Sequence, residues 1–198
     1  ILAQGRESFR VEGTTQKTPR ARSSRCARSG RWVGMATKPD NLAEFIDASS
    51  LECLNQLEEH PVANAFATND NFLQSDTDHQ LIIKVSFRQP VKLYGIKFKG
   101  FSEDESAPTV VKLFQGKENI GFQEAEDEEA SEMITLDPAG MDTFPEHQVR
   151  FVKFQHVQSL QIFVAENAGA EATKIQQIEF RGMPASSMDM KDWKPCKA

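Results

Sequence analysis

The stretch 149–182, VRFVKFQHVQSLQIFVAENAGAEATKIQQIEFRG, constrains the fold more than any other part of the chain. Val149, Phe151 and Lys153 alternate with Arg150, Val152 and Phe154. After a break at His156–Ser159, Leu160, Ile162 and Val164 alternate with Gln161, Phe163 and Ala165. A loop with Asn167 and Gly169 follows, and then Ile178 and Phe180 flank Glu179. Alternation with period two, bounded by Gly, Asn and Ser, marks strands that bury one face, so the spacing predicts three consecutive β-strands. The stretch contains no evident catalytic group.

Further strands precede it. Leu81, Ile83, Val85 and Phe87 form one face of a strand, with Lys84 and Ser86 on the other. Arg88-Gln89-Pro90 is expected to turn the chain into a strand over Val91–Lys99. The apolar phase there shifts from Val91/Leu93 to Tyr94/Ile96/Phe98, and a slip beside Gly95 predicts a β-bulge. Thr109–Phe114 and Met133–Leu136 read as two more strands. Asp40 or Asn41 is expected to cap a short helix through Leu42, Phe45 and Ile46. Ser49–Asn55 reads as loop, His60-Pro61 stops any further helix, and Phe66, Phe72 and Leu73 anchor the polar segment Asn64–Thr77. Seven or eight short strands with little helix predict an all-β, antiparallel β-sandwich or jelly roll rather than a βαβ fold.

Composition narrows the function classes. No apolar run approaches the roughly 18 residues of a membrane-spanning helix, so no membrane partner is expected. The three cysteines, at 26, 53 and 196, form no C-x-x-C pair and cannot all be bridged. A disulfide framework is therefore not expected, and a reducing compartment is. The formal net charge of −6 hides a division: residues 1–34 carry eight Arg/Lys and two acids, net +6, and the rest carries 15 bases and 27 acids, net −12. Residues 1–34 lack periodic apolar positions and are expected to be disordered. Leader sequence outside the fold is the preferred reading, with a transit peptide or a nucleic-acid-binding arm as the others. The folded domain is expected over residues 35–198. Its acidity repels nucleic acid.

The chain carries few motifs that bear chemistry. Ser75-Asp76-Thr77-Asp78-His79 is the densest polar cluster, but an EF-hand loop would need Gly where Leu81 stands and Glu where Phe87 stands. A turn whose Asp and Ser side chains bond backbone N–H groups ahead of a strand is expected instead. His60, His79, His147 and His156 lack zinc-hydrolase spacing, and no G-x-S-x-G or phosphate-binding loop occurs. Cys53, between Leu51 and Leu54, reads as a small buried hydrophobe, and Cys196 lies in a tail without a site to use it. No catalytic residue, metal site or cofactor is expected. Glu124–Glu132 holds six acids in nine residues. It reads either as a solvated loop or short helix, or as an electrostatic docking patch built from Glu124, Glu126, Asp127, Glu128 and Glu129. Asp189 and Trp193 in the tail are further candidates for partner contact.

Four segments carry a resemblance. They are FLQSDTD (72–78) leading into Gln80-Leu81-Ile82, VKLYGIKFKG (91–100), VKLF (111–114) followed by FQEAE (122–126), and the 149–182 stretch, notably RFVKFQ (150–155) and Asn167-Ala168-Gly169. With LECLN (51–55) they cover about residues 42–193. In order and spacing the chain resembles the PITH domain, the proteasome-interacting module of thioredoxin-like proteins, which also occurs without thioredoxin. The resemblance implies a jelly-roll, galactose-binding-like sandwich. It also implies association with the 26S proteasome regulatory particle, in cytoplasm and nucleus, and a monomer is favoured. Thioredoxin-like relatives carry a C-x-x-C domain ahead of this module. The residues here are too few for it and hold no such pair, so no redox activity is expected. The alternative is a carbohydrate- or small-ligand-binding module. It is weakened by the scarcity of aromatic platforms, with Tyr94 the single Tyr and Trp193 near the tail.

Overall fold

In the computed structural model, residues 40–117 and 119–185 are described. Among the described residues nine strands form: β1 (Asp40–Asn41), β2 (Glu52–Leu54), β3 (Leu73–Gln74), β4 (Leu81–Gly100), β5 (Pro108–Gln115), β6 (Glu132–Thr135), β7 (Glu146–Gln148), β8 (Val157–Asn167) and β9 (Lys174–Pro184). Two short helices, α1 (Ala63–Phe66) and α2 (Phe122–Asp127), complete the regular structure beside a few 3₁₀ turns. Every strand pairing is antiparallel.

The organising element is β4. Its first half pairs with β2 and β8, and β8 continues through β5 to β6. Its second half pairs with β9 and β7. One strand thus belongs to both layers of the sandwich, the usual consequence of a bend in a corner strand. The pairing with β8 shifts register between Ser86 and Val91, so Arg88-Gln89-Pro90 bends a continuous strand instead of ending one.

The core lies between the layers. Leu81, Ile83 and Val85 of β4, Leu160, Ile162 and Val164 of β8, and Val111 and Leu113 of β5 face Leu93, Ile96, Phe98, Ile178 and Phe180 of the other layer. Phe87 meets Phe180 edge-on at 5.5 Å between ring centroids. Within the second layer the backbones of β4 and β9 run so close beside β1 that a Cβ on Gly182 would lie 2.1 Å from the Lys92 carbonyl oxygen. A second, smaller apolar cluster sits on the outer face of the first layer, where Ile82, Phe114 and Phe163 are covered by Ile120 and by Ala125 of α2.

Several expectations are met. The bulge beside Gly95 is present, as a register shift between Leu93 and Gly95 against β9. Leu73 is buried, and Phe72 stacks on His60 at 4.1 Å. Others are corrected. Residues 149–154 form no strand. Lys153 N–H donates to Arg150 O and Phe154 N–H to Phe151 O, a tight turn held by buried Val149 and Phe154 while Val152 is 82% exposed. The bulge also turns Tyr94 out of the core, where it stacks on Phe151 at 4.6 Å with an 8° interplanar angle. Ser49–Asn55 contains β2, which pairs Cys53 with Ile83. The helix expected after Asn41 is a single 3₁₀ turn, Ala43–Phe45, whose Ala43 N–H donates to Asn41 Oδ1 at 2.9 Å. The basic segment 1–34 and the tail residues Asp189, Trp193 and Cys196 lie outside the described residues.

Candidate functional site

The SDTD segment is structural at the level of individual atoms. Asn55 sits at φ 67°, a left-handed conformation that Asn tolerates better than most residues. From there its Nδ2 donates to Asp78 Oδ1 at 2.7 Å and Gln80 O at 2.7 Å, and its Oδ1 accepts from Thr77 N–H at 3.0 Å. Asp78 Oδ1 accepts from Gln80 N–H at 2.9 Å, so the aspartate closes its own turn. Ser75 and Thr173 are both buried and bond to each other. Asn167 ties the next turn, donating to Ala170 O at 2.8 Å and accepting from Gly169 N–H. These motif residues gather the loops at one end of the sandwich. Among the described residues no group of three or more His, Cys, Asp or Glu is placed to hold a metal ion.

The acidic segment is a short helix with part of its charge already used. Glu124 Oε2 accepts from Gly121 N–H at 3.3 Å at the start of α2. Glu126 Oε1 accepts from Gln80 Nε2 at 2.6 Å, and Glu128 pairs with Lys117. Lys112 Nζ donates to the carbonyls of Ala125 at 3.0 Å and Glu126 at 2.8 Å, a cation on the negative end of the helix. Asp127 and Glu129 are exposed and make no side-chain hydrogen bond or ion pair among the described residues. Of the five acids singled out in the sequence, these two present unspent charge to solvent.

Beside α2 the outer face of the first layer opens into a groove of about 780 Å³ at the other end of the sandwich. Its floor is β4, and its walls come from Asp47, from Gln115, Gly116 and Asn119, and from His156, Gln158 and Ser159. Gln161, 2% exposed, fixes one wall: its Oε1 accepts from Ile120 N–H at 3.3 Å and its Nε2 donates to Lys117 O at 3.0 Å. Gln115 Nε2 fixes the other by donating to His156 O at 3.1 Å. Lys84 Nζ reaches Glu52 at 3.2 Å and Asn119 Oδ1 at 3.3 Å. Hydrogen bonds from Ser49, to which the nearby Arg88 adds a smaller pull, hold the Asp47 carboxyl below its ordinary pKa. Sequence reasoning had no signal for this groove, because its residues come from four separate segments.

Two titratable groups lie outside both features. Burial pushes the Cys53 thiol up to about 12. Burial also lowers the pKa of His147 on β7, whose Nε2 has no hydrogen-bond partner among the described residues.

A family model for the PITH domain matches residues 35–198. The chain belongs to the PITH domain family. Thioredoxin-like protein 1 of Schizosaccharomyces pombe is 36% identical over 173 residues, covering 82% of this chain and 59% of that protein. PITH domain-containing protein 1 of Danio rerio is 31% identical over 144 residues, covering 69% and 67%. The PITH chain therefore spans less than two thirds of the first of these relatives. Its fold is similar to that of the CBM32-1 and CBM32-2 domains of Clostridium perfringens ZmpB, solved in complex with GalNAc, with a TM-score of 0.54 at 9% identity over 70% of this chain and 35% of that one. It is also similar to the family 32 CBM of C. perfringens NanJ, solved in complex with galactose, with a TM-score of 0.51 at 11% identity over 67% and 92%. The PITH chain is an antiparallel, galactose-binding-like β-sandwich.

Proposed function

We propose that this PITH chain is a non-catalytic interaction module that associates with the 26S proteasome regulatory particle in cytoplasm and nucleus. The observation that carries the reading is membership of the PITH family over residues 35–198. The chemistry agrees with it. The motif residues Asn55, Ser75, Asp78 and Asn167 spend their polar groups on turns of the scaffold, which leaves a rigid sandwich with side chains to offer a partner. Asp127 at the end of α2 and Glu129 just beyond it are acids free to meet a basic surface, where charge steers encounter more than it adds affinity.

The test is affinity purification of the tagged full chain from cell extract beside the double variant Asp127→Lys/Glu129→Lys. Regulatory-particle subunits are expected with the native chain, in reduced amount with the variant. A native chain that recovers no such subunits overturns the association. Equal recovery by both proteins removes Asp127 and Glu129 from the interface.

The solved sugar complexes of the fold neighbours motivate a second reading, a carbohydrate-binding module. The groove weighs against it. Its aromatic lining residue is Phe87, 3% exposed and committed to the core, and Tyr94 is stacked on Phe151. A glycan array probed with the purified chain tests this reading, with no binding expected.

A further inference from the structure

The groove on the outer face of β4 has a polar trough and an apolar notch. Ile82, Lys84, Ser86 and Arg88 succeed one another along that side of the strand at two-residue intervals, so the line from Ile82 to Arg88 extends about 20 Å. At the Ile82 end a notch of about 80 Å³ is bounded by Leu54, Ile82 and Ile120, with Glu52 at its rim. Leu54 is 48% exposed there, a large aliphatic side chain with one flank uncovered. Lys84 and Asn119 line both spaces and join them.

The trough is rich in unspent donors. Lys84 is held by Glu52 and Asn119, and the Asp47 carboxylate accepts from Ser49 N–H at 3.2 Å and Ser49 Oγ at 2.7 Å. Arg88, His156 and Gln158 are exposed, and their side chains make no hydrogen bond or ion pair among the described residues. The same holds for the hydroxyls of Ser86 and Ser159. A guanidinium, an imidazole, an amide and two hydroxyls thus line one trough, in which Lys84 is already paired with Glu52 and the Asp47 carboxylate with the Ser49 donors. Such a set favours a carboxylate, and a guanidinium binds one through paired N–H donors.

We infer that this groove binds an extended acidic peptide segment of a partner protein. An aliphatic side chain of the segment fills the Leu54–Ile82–Ile120 notch, and carboxylates three to five residues away meet Arg88 and His156. The length fits, since about six extended residues span 20 Å. The cavity volume falls within the roughly 300–1,000 Å³ of ordinary ligand sites. A sugar is disfavoured by the lack of an exposed aromatic wall. The inference rests on the groove alone. A chain that recovers no proteasome subunits yet binds the peptide loses the association and keeps the site.

The test is fluorescence anisotropy on the purified full chain with a labelled hexapeptide carrying leucine at one end and three glutamates toward the other. Binding is expected to weaken at least tenfold for Arg88→Glu and for Gln158→Glu, and about fivefold for Leu54→Asp. Exchanging the peptide's glutamates for lysines is expected to abolish it, and raising the salt concentration to weaken it. Lys99→Glu, the same change of charge toward the far end of β4, is expected to leave binding unchanged. Circular dichroism of each variant checks the fold, and both Arg88 and Gln158 are exposed positions. No acidic-peptide binding up to millimolar concentration overturns the inference. So does affinity indifferent to Arg88→Glu and Gln158→Glu, or displacement of the peptide by galactose.

Discussion

Thr173 N–H donates to Ser75 Oγ at 2.8 Å, and Ser75 N–H donates back to the Thr173 carbonyl at 3.0 Å. The clasp joins residues 98 apart in sequence, at the point where β3 ends and β9 begins. Both residues are buried, so water cannot replace either partner. Ser75→Ala leaves the Thr173 N–H unsatisfied and is expected to cost about 1–3 kcal/mol. Ser75→Thr keeps the acceptor and is expected to cost less. Urea denaturation of the two variants measures both, and an alanine variant as stable as the native chain refutes the role given to the clasp.

Asn55 joins a backbone requirement to a side-chain requirement. Its left-handed φ of 67° suits Asn or Gly, and its amide holds Thr77, Asp78 and Gln80 in the turn before β4. Asn55→Gly relieves the backbone and loses the bonds, while Asn55→Ala loses the bonds and strains the backbone. Alanine is therefore expected to be the more destabilising, by about 1 kcal/mol relative to glycine. Thermal unfolding of the pair reads the difference directly. A reversed order would show that the turn does not depend on this conformation.

The parts of the fold legible in sequence were those where one rule acted alone. β9 buries Ile178 and Phe180 on either side of Glu179, β8 turns Leu160, Ile162 and Val164 to the main core while Phe163 enters the smaller cluster, and the phase slip at Gly95 marks a real bulge. Residues 149–154 misled because Val149 and Phe154 are the buried anchors, five residues apart, and the apolar Val152 between them points to solvent. Their backbone then closes on itself in a turn instead of pairing in a ladder. β2 escaped notice because it is three residues long with Glu52 and Leu54 exposed on either side of Cys53. The polar character of the SDTD turn was legible, since Asp and Ser act locally. The groove was not, because Asp47, Lys84, Gln115 and His156 meet only once the strands are paired.

Cys53 is a test of burial against reactivity. Desolvation favours the neutral thiol and pushes its pKa up to about 12, so the thiolate is scarce near neutral pH. Iodoacetamide at pH 8 is expected to modify the peptide bearing Cys53 at least tenfold more slowly in the native chain than in urea, as followed by mass spectrometry. Equal rates would mean that β2 leaves the edge of β4 often enough to expose the thiol.

His147 gives the fold a dependence on pH whose direction follows from its surroundings. Burial disfavours the imidazolium, and Nε2 finds no acceptor among the described residues, so the folded-state pKa lies below the ordinary 6.5. The unfolded chain then binds this proton more readily than the folded chain. Stability is insensitive to the group well above pH 6.5, falls as the pH drops through 6.5, and levels off once the folded form is protonated as well. His147→Gln keeps a polar side chain of similar length without the titration. The native chain is expected to lose stability between pH 7 and pH 5 relative to that variant, measured as the difference of two denaturation midpoints at each pH. Parallel midpoints across the range would mean that the imidazole reaches solvent and titrates alike in both states.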